Sequence, residues 1–337
     1  YIGVGSNTIQ VSTQIHDGAT DEINCKEDAL LEALRHAASN PNLKKLQILL
    51  DANRALRKVS VTNKNRQSHG SSSGYIRTSS AEAVFSRINP VLGRDPKSEG
   101  NGLFLFPVND RRLCAILPSP LDEVAGVFHI KAYIVDDELI LSGANLSEEY
   151  FSNRLDRYLL FTHGGGGLVN FYAELCDLLC EYAIRYDGYP HSRADNLKSL
   201  FSLQEEEAKK KHLEESLMHL FDGNNHATES ENATAPIVAY ATPTFQMPIS
   251  FLGRPLQFQS DTEITRNLLI SALNGEQSSS VRLSSAYLNL PSKLLSVLTM
   301  GGKKNNVGVP YILTAGTISH GFAPKSGRKR RKQIAGF

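Results

Sequence analysis

An amphipathic helix, a polar break and a short apolar run follow one another between residues 27 and 51, and the same order returns near the other end of the chain. In EDALLEALRHAAS (27–39), Leu30, Leu31, Leu34 and Ala38 recur at helical spacing, which makes one face of a helix apolar. NPNLKK breaks that helix. LQILLD (46–51) is then apolar without alternation, the pattern of a strand buried on both faces. Helix, turn and doubly buried strand in that order predict an α/β unit built on a parallel sheet.

The second occurrence, EITRNLLISALN through VPYILTAG (263–316), reads helix, strand, helix, strand. SSAYLNLP resembles the opening YIGVGSN, and VPYILTAG stands where LQILLDAN stands in the first copy. Such a duplication predicts two pseudo-symmetric α/β halves with mixed or parallel sheets flanked by helices. The first half is expected over 1–186, with helices at 79–88 and 169–186. SHGSSSG and GRDPKSEGNG mark 59–101 as a loop-rich insertion. Residues 187–235 read as a polar insertion or linker carrying a charged helix (203–221), and 236–337 as the start of the second half. Aligning Tyr287 with Tyr1 implies that the first half lacks its opening helix and most of its opening strand, so the chain reads as a piece of something longer.

Composition removes several classes. Lys+Arg 36 against Asp+Glu 35 leaves a net charge of +1, so no global field draws nucleic acid to this chain. Four cysteines (Cys25, Cys114, Cys176, Cys180) are too scattered for a disulfide scaffold, and Cys176 and Cys180, four apart, read as small apolar helix residues. Apolar runs of about five residues are too short for a transmembrane helix. Among charged stretches, AKKKH (208–212) shares its helix with EEE and reads as a solvated face, while RKRRK (328–332) reads as a nuclear signal, a nucleic-acid patch or, beside a lipid substrate, a patch for anionic lipid, with a solvated loop as the rival. His320 reads as a loop residue.

The chemistry lies in GVFHIKAYIVDDELILSGANLSEEYFSNRLDRYLLF (126–161). FHIKAYIVDDELILSGAN predicts two strands joined by a tight turn at Asp136 and Asp137. Alternation puts His129 and Lys131 on one face, with Phe128, Ile130 and Ala132 on the other. Asn145 follows the second strand. An imidazole, an ammonium and an amide at one spot suit a phosphodiester: the imidazole can attack phosphorus or move protons, and the cation and amide can hold the charged oxygens.

His129-x-Lys131, then Asp136, then Ser142-Gly143-Ala144-Asn145 is similar to the signature of the phospholipase D superfamily. SGANLSEEYFSNRLDRY resembles one branch of it, the eukaryotic CDP-diacylglycerol–glycerol-3-phosphate 3-phosphatidyltransferases, as do YIGVG, LLDANRALR (49–57), FQMP (245–248) and ILTAGTISHGF (312–322). The resemblance implies phosphatidyl transfer from CDP-diacylglycerol to glycerol 3-phosphate through a phosphohistidine. His129 would be the nucleophile, Lys131, Ser142 and Asn145 would bind phosphate, and Asp136 would orient the hairpin or its lysine. Arg54 and Arg57, after the LQILLD strand, would fork onto a phosphate or lie in a solvated loop. Asn153, Arg154, Asp156 and Arg157 would shape the acceptor pocket or form an internal Arg–Asp brace.

No cofactor and no metal are implied, and no nucleic-acid partner. The family setting would be the mitochondrial inner membrane, met peripherally at an anionic surface. Ala55 and Leu155 depart from the branch, which tends to have Gly and Gln there. The chain has one His-x-Lys; Asp51 and His129 are 78 residues apart, and the same count from Thr314 places a second motif about 55 residues beyond Phe337. On that reading this chain alone lacks its general acid and is inactive. The rival readings are a phosphatidylserine synthase or a phosphodiesterase of the same superfamily, and a non-catalytic lipid-binding protein with one half-site.

Overall fold

The computed structural model describes residues 2–4, 26–56, 58–62, 75–92, 101–108, 126–146, 148–152, 154–162, 167–188, 203–223, 241, 243–247, 261–274, 282–285, 290, 292–301 and 311–314. Two compact units divide the chain. The first is Tyr1–Ala241 with Met247–Pro255, and the second is Thr242–Gln246 with Leu256–Phe337. Both are α/β, as the helix–strand alternation predicts.

The first unit runs β1 (Ile2–Val4), α1 (Lys26–Ser39), β2 (Gln47–Asp51), α2 (Ala52–Ala55), β3 (Lys58–Thr62), β4 (Tyr75–Ser79), α3 (Ser80–Leu92), β5 (Gly102–Phe106), β6 (Lys131–Val135), β7 (Glu138–Ser142), α4 (Glu148–Ser152), β8 (Tyr158–Phe161), α5 (Leu168–Tyr182), β9 (Ile184–Arg185) and α6 (Leu203–Gly223). Seven of its strands form one sheet in the order β8-β7-β6-β1-β2-β5-β9. β1, β2 and β5 are parallel at its centre; β6, β7 and β8 continue antiparallel on one side and β9 on the other.

β2 and β5 are buried throughout, which accounts for the unbroken apolar reading of QILLD and GLFLF. On one sheet face Leu31 and Leu34 of α1 and Ala81, Val84 and Ile88 of α3 pack on Ile48, Leu50, Leu103 and Leu105. On the other, Leu168, Val169 and Cys176 of α5 cover Ala132, Ile134 and Leu139. Cys176 and Cys180 are buried free thiols whose pKa is pushed up, first by burial, to about 12 for Cys176. Lys45, just before β2, pairs with Asp177 of α5.

Two boundaries differ from the expectation. Residues 59–101 are not simply loop around a helix: β3 and β4 pair antiparallel, and α3 is a core helix. A reciprocal cap starts that helix, with Glu82 N–H donating to Ser79 Oγ (3.2 Å) and Ser79 N–H to Glu82 Oε2 (3.4 Å). Nor is 187–235 only a linker, because Leu213, Leu217 and Leu220 of α6 are buried and Phe171 of α5 meets Phe221 edge-to-face at 5.1 Å. The opposite side of α6 is the solvated charged face expected of it, with Lys211 paired to Glu215 (3.8 Å), whereas Lys210 and Glu206 (3.3 Å) continue the buried stripe and are only about a fifth exposed.

The second unit contains α7 (Asp261–Asn274), β10 (Arg282–Ser285), α8 (Ser292–Gly301) and β11 (Tyr311–Thr314). β10 and β11 are parallel neighbours, with Ser285 opposite Thr314. Leu298 of α8 is buried against Leu269, Leu283, Leu290 and Val297. Tyr287, aligned above with Tyr1, lies outside the described residues, as do His320 and the RKRRK run.

Candidate active site

Register brings scattered residues to one edge of the large sheet. β6 runs antiparallel to β1, with Lys131 opposite Val4, and β1 is parallel to β2, with Val4 opposite Leu50. Lys131 therefore begins β6 at the edge where the parallel strands end, next to Asp51. The β6–β7 hairpin returns Ser142 to that edge, and β8 starts there because Ser142 pairs with Tyr158. Thus His129 and Lys131, the Ser142–Asn145 turn, Asp156 and the Arg54 turn after β2 converge where α/β sheets bind ligands.

Alternation fixes which side chains face the site. Phe128 is buried and stacks on Phe106 at 5.1 Å, and Ile130 and Ala132 pack under α5. His129 and Lys131 take the opposite face. Lys131 is buried and its Nζ donates to the His129 carbonyl at 3.0 Å.

The basic groups are close enough to act on one another. His129 keeps an exposed surface, yet its pKa falls to about 4, first through burial of the ring, then through Lys131 and Arg54, with Asp156 opposing. Lys131 falls to about 7, first through burial, then through Arg54, again opposed by Asp156. Three bases and one carboxylate therefore share this corner. At neutral pH the imidazole is unprotonated and its nitrogen lone pair is available.

The surrounding turns are held locally. Ser142 Oγ accepts from the Ala144 N–H at 2.9 Å, closing the SGAN turn, and Asn145 follows it half-buried. Asp156 Oδ1 accepts from the Arg157 N–H at 2.7 Å. Arg154 lies over the Tyr150 ring at 5.1 Å, turned toward α4. Of the acceptor-pocket set, Asp156 faces the bases and Asn153 lies outside the described residues, as does Arg57 of the phosphate-binding pair.

Asp136 is not brought to this corner. It is an exposed turn residue at the far end of β6, with a left-handed φ of 52° that Asp tolerates better than most residues. A five-residue strand puts it about 16 Å from the Lys131 backbone. Of its two expected roles, orienting the hairpin fits this position and orienting the lysine by contact does not.

Two residues here were given no role in the site by the sequence. Asp51 is buried; its Oδ1 accepts the Arg54 N–H and its Oδ2 the Phe128 N–H, both at 2.8 Å. Gly143 lies directly under the Asp156 carboxylate. Asp51 carried a visible signal, an acidic residue ending a buried strand before a short helix, but its second partner is 77 positions away.

Human mitochondrial CDP-diacylglycerol–glycerol-3-phosphate 3-phosphatidyltransferase is 28% identical to this chain over 224 residues, which is 62% of the chain and 39% of that protein. This chain is similar to that group of transferases. The Gallus gallus enzyme of the same name is 33% identical over 163 residues, 48% of this chain and 25% of its own length. A probable CDP-diacylglycerol–glycerol-3-phosphate 3-phosphatidyltransferase from Dictyostelium discoideum is 27% identical over 229 residues, 63% of this chain and 36% of its own. The resemblance read from the SGANLSEEYFSNRLDRY string is borne out by these similarities. The chain spans 39% of the human relative it matches and so corresponds to a part of it. No family model and no solved structure matches the chain.

Proposed function

We propose that the protein transfers a phosphatidyl group from CDP-diacylglycerol to sn-glycerol 3-phosphate, releasing CMP, with His129 as nucleophile in a phospholipase-D-like half-site. The observation that carries this reading is the convergence of His129, Lys131, Arg54 and Asp156 on one sheet edge. Similarity over 62% of the chain to transferases of that name supports it.

In the first step the neutral His129 ring attacks the phosphatidyl phosphorus. The N–P bond forms as the bond from that phosphorus to the bridging oxygen breaks, and CMP leaves with the electron pair. In the second step the primary hydroxyl of glycerol 3-phosphate attacks the phosphohistidine; an O–P bond forms, N–P breaks and the hydroxyl proton passes to a base. Lys131 and Arg54 hold the phosphate oxygens through both steps, with the Asn145 amide and the Ser142 turn beside them. No step needs a metal, since the positive charge comes from side chains. The acid that protonates CMP is assigned by the resemblance to a second motif of the same kind.

The proposed setting is the mitochondrial inner membrane, met peripherally. The relatives' mitochondrial names support the compartment. Among the described residues no helix is long and apolar enough to cross a membrane. Beside the site, Leu155 is fully exposed and Tyr158, Leu159 and Leu160 are about half exposed, interleaved with Arg154 and Arg157. Apolar side chains among cations suit an anionic bilayer surface.

The test is to offer the intact protein CDP-diacylglycerol with labelled glycerol 3-phosphate or with labelled serine. Phosphatidylglycerophosphate and CMP are expected, and loss of both in His129→Asn. Product from serine alone would transfer the reading to a phosphatidylserine synthase.

A further inference from the structure

We propose that Asp51 is a positioning residue of this site: its carboxylate locks the turn that carries Arg54 to the strand that carries His129, so that guanidinium and imidazole meet one phosphate as a unit. The proposal rests on the phosphate-binding reading of this edge and adds to it a residue that touches no substrate.

Asp51 ends β2 and is 1% exposed. A carboxylate there is costly unless its oxygens accept hydrogen bonds. One bond, Oδ1 to the Arg54 N–H at 2.8 Å, is an ordinary N-cap of α2 that Ser, Thr or Asn would also make. The other, Oδ2 to the Phe128 N–H at 2.8 Å, serves no need of α2. It reaches 77 positions along the chain to the residue before His129. Two separate acceptor oxygens with no donor between them are what a carboxylate offers and an amide or hydroxyl does not. The residue type thus fits the double task rather than the cap alone.

The linkage is short at both ends. Arg54 is the third residue after Asp51, and His129 follows the bonded N–H directly. The Phe128 ring is fixed from the other side by its stack on Phe106. Arg54 lowers the pKa of both His129 and Lys131, so it lies near the strand that the carboxylate ties to its turn. A phosphate clamp tolerates little slack, since misplacement by about 1 Å can cost on the order of 100-fold in rate.

The experiment is a titration of the His129 ring, followed by NMR in the intact protein, for Asp51→Asn, Asp51→Thr, Arg54→Gln and the double variant Asp51→Asn/Arg54→Gln. Threonine keeps the N-cap and drops the link to Phe128. Removing Arg54 takes away a neighbouring cation and should raise the His129 midpoint. Losing Asp51 removes an anion, which by charge alone would lower the midpoint. If Asp51 acts by holding Arg54 and His129 together, both Asp51 variants raise it instead, and the double variant matches Arg54→Gln alone. Turnover of CDP-diacylglycerol should fall on the order of 100-fold in Asp51→Thr with its KM little changed. A midpoint that falls or stays put in a folded Asp51 variant overturns the proposal, and so does unfolding of both variants, which would make Asp51 a folding residue. The titration involves no substrate. Failure of the transferase assay with a raised midpoint would therefore count against the proposed reaction and leave the coupling intact.

Discussion

The Asp156 carboxylate lies over the α-carbon of Gly143, so close that a β-carbon on residue 143 would come within 2.7 Å of Oδ1. The glycine is what allows the carboxylate to sit beside the SGAN turn and oppose the burial and the cations that lower His129 and Lys131. Gly143→Ala should fold, because the obstructed atoms end a movable side chain, but it should displace Asp156. Both bases then titrate lower than in the parent, as they should in Asp156→Asn. NMR titration checks this, and unchanged midpoints in Gly143→Ala would show that Asp156 acts from elsewhere.

Lys131 is the next lever. Burial and Arg54 bring its pKa to about 7, so the free site loses this charge as pH rises through neutrality. Above pH 7 the phosphates of CDP are fully ionised, so affinity changes there report the protein. Binding of CDP should weaken between about pH 7 and 9, and Lys131→Arg, charged throughout, should flatten that trend. Calorimetry at fixed ionic strength measures it; an equally steep fall in the arginine variant would place the titrating group elsewhere.

The histidine makes a prediction about stability. Its folded pKa of about 4 lies below the ordinary value of 6.5, so between those limits the unfolded chain binds the proton and the native state does not. Stability therefore rises with pH across that window, and the penalty from His129 is complete below its lower end and gone above its upper end. His129→Asn should gain on the parent as pH falls from 7 to about 4.5, read from denaturant midpoints at each pH. A constant difference between the two proteins would mean that the ring is not desolvated in the fold.

Local periodicity made much of this architecture legible. α1, β2, the β6–β7 hairpin and its turn at Asp136 were readable because helix and strand repeats are properties of a few neighbouring residues. The motif also named His129 and Lys131. It could not separate Asp136 from them, since a strand of five residues carries the third member of the motif to the other sheet edge. Nor could it find Asp51, whose second hydrogen bond exists only once β2 and β6 lie on either side of β1. At 187–235 composition outweighed pattern: the acidic and basic residues of α6 hid Leu213, Leu217 and Leu220, an i, i+4, i+7 stripe present in the sequence all along.

That stripe supports the last prediction. Leu217 is completely buried on α6, in the first compact unit, and α6 packs on α5, the helix that covers the strands leading to the site. Truncation to alanine removes three carbons from a filled position, which costs about 2–5 kcal/mol in comparable cores. Lys211, on the outer face of the same helix, is paired with Glu215 at 3.8 Å but well exposed, so Lys211→Ala should change stability by less than about 0.5 kcal/mol. Urea unfolding of the two variants separates a docked helix from a detached linker. A loss below about 1 kcal/mol for Leu217→Ala would mean that α6 contributes little to the unit that positions His129 and Lys131.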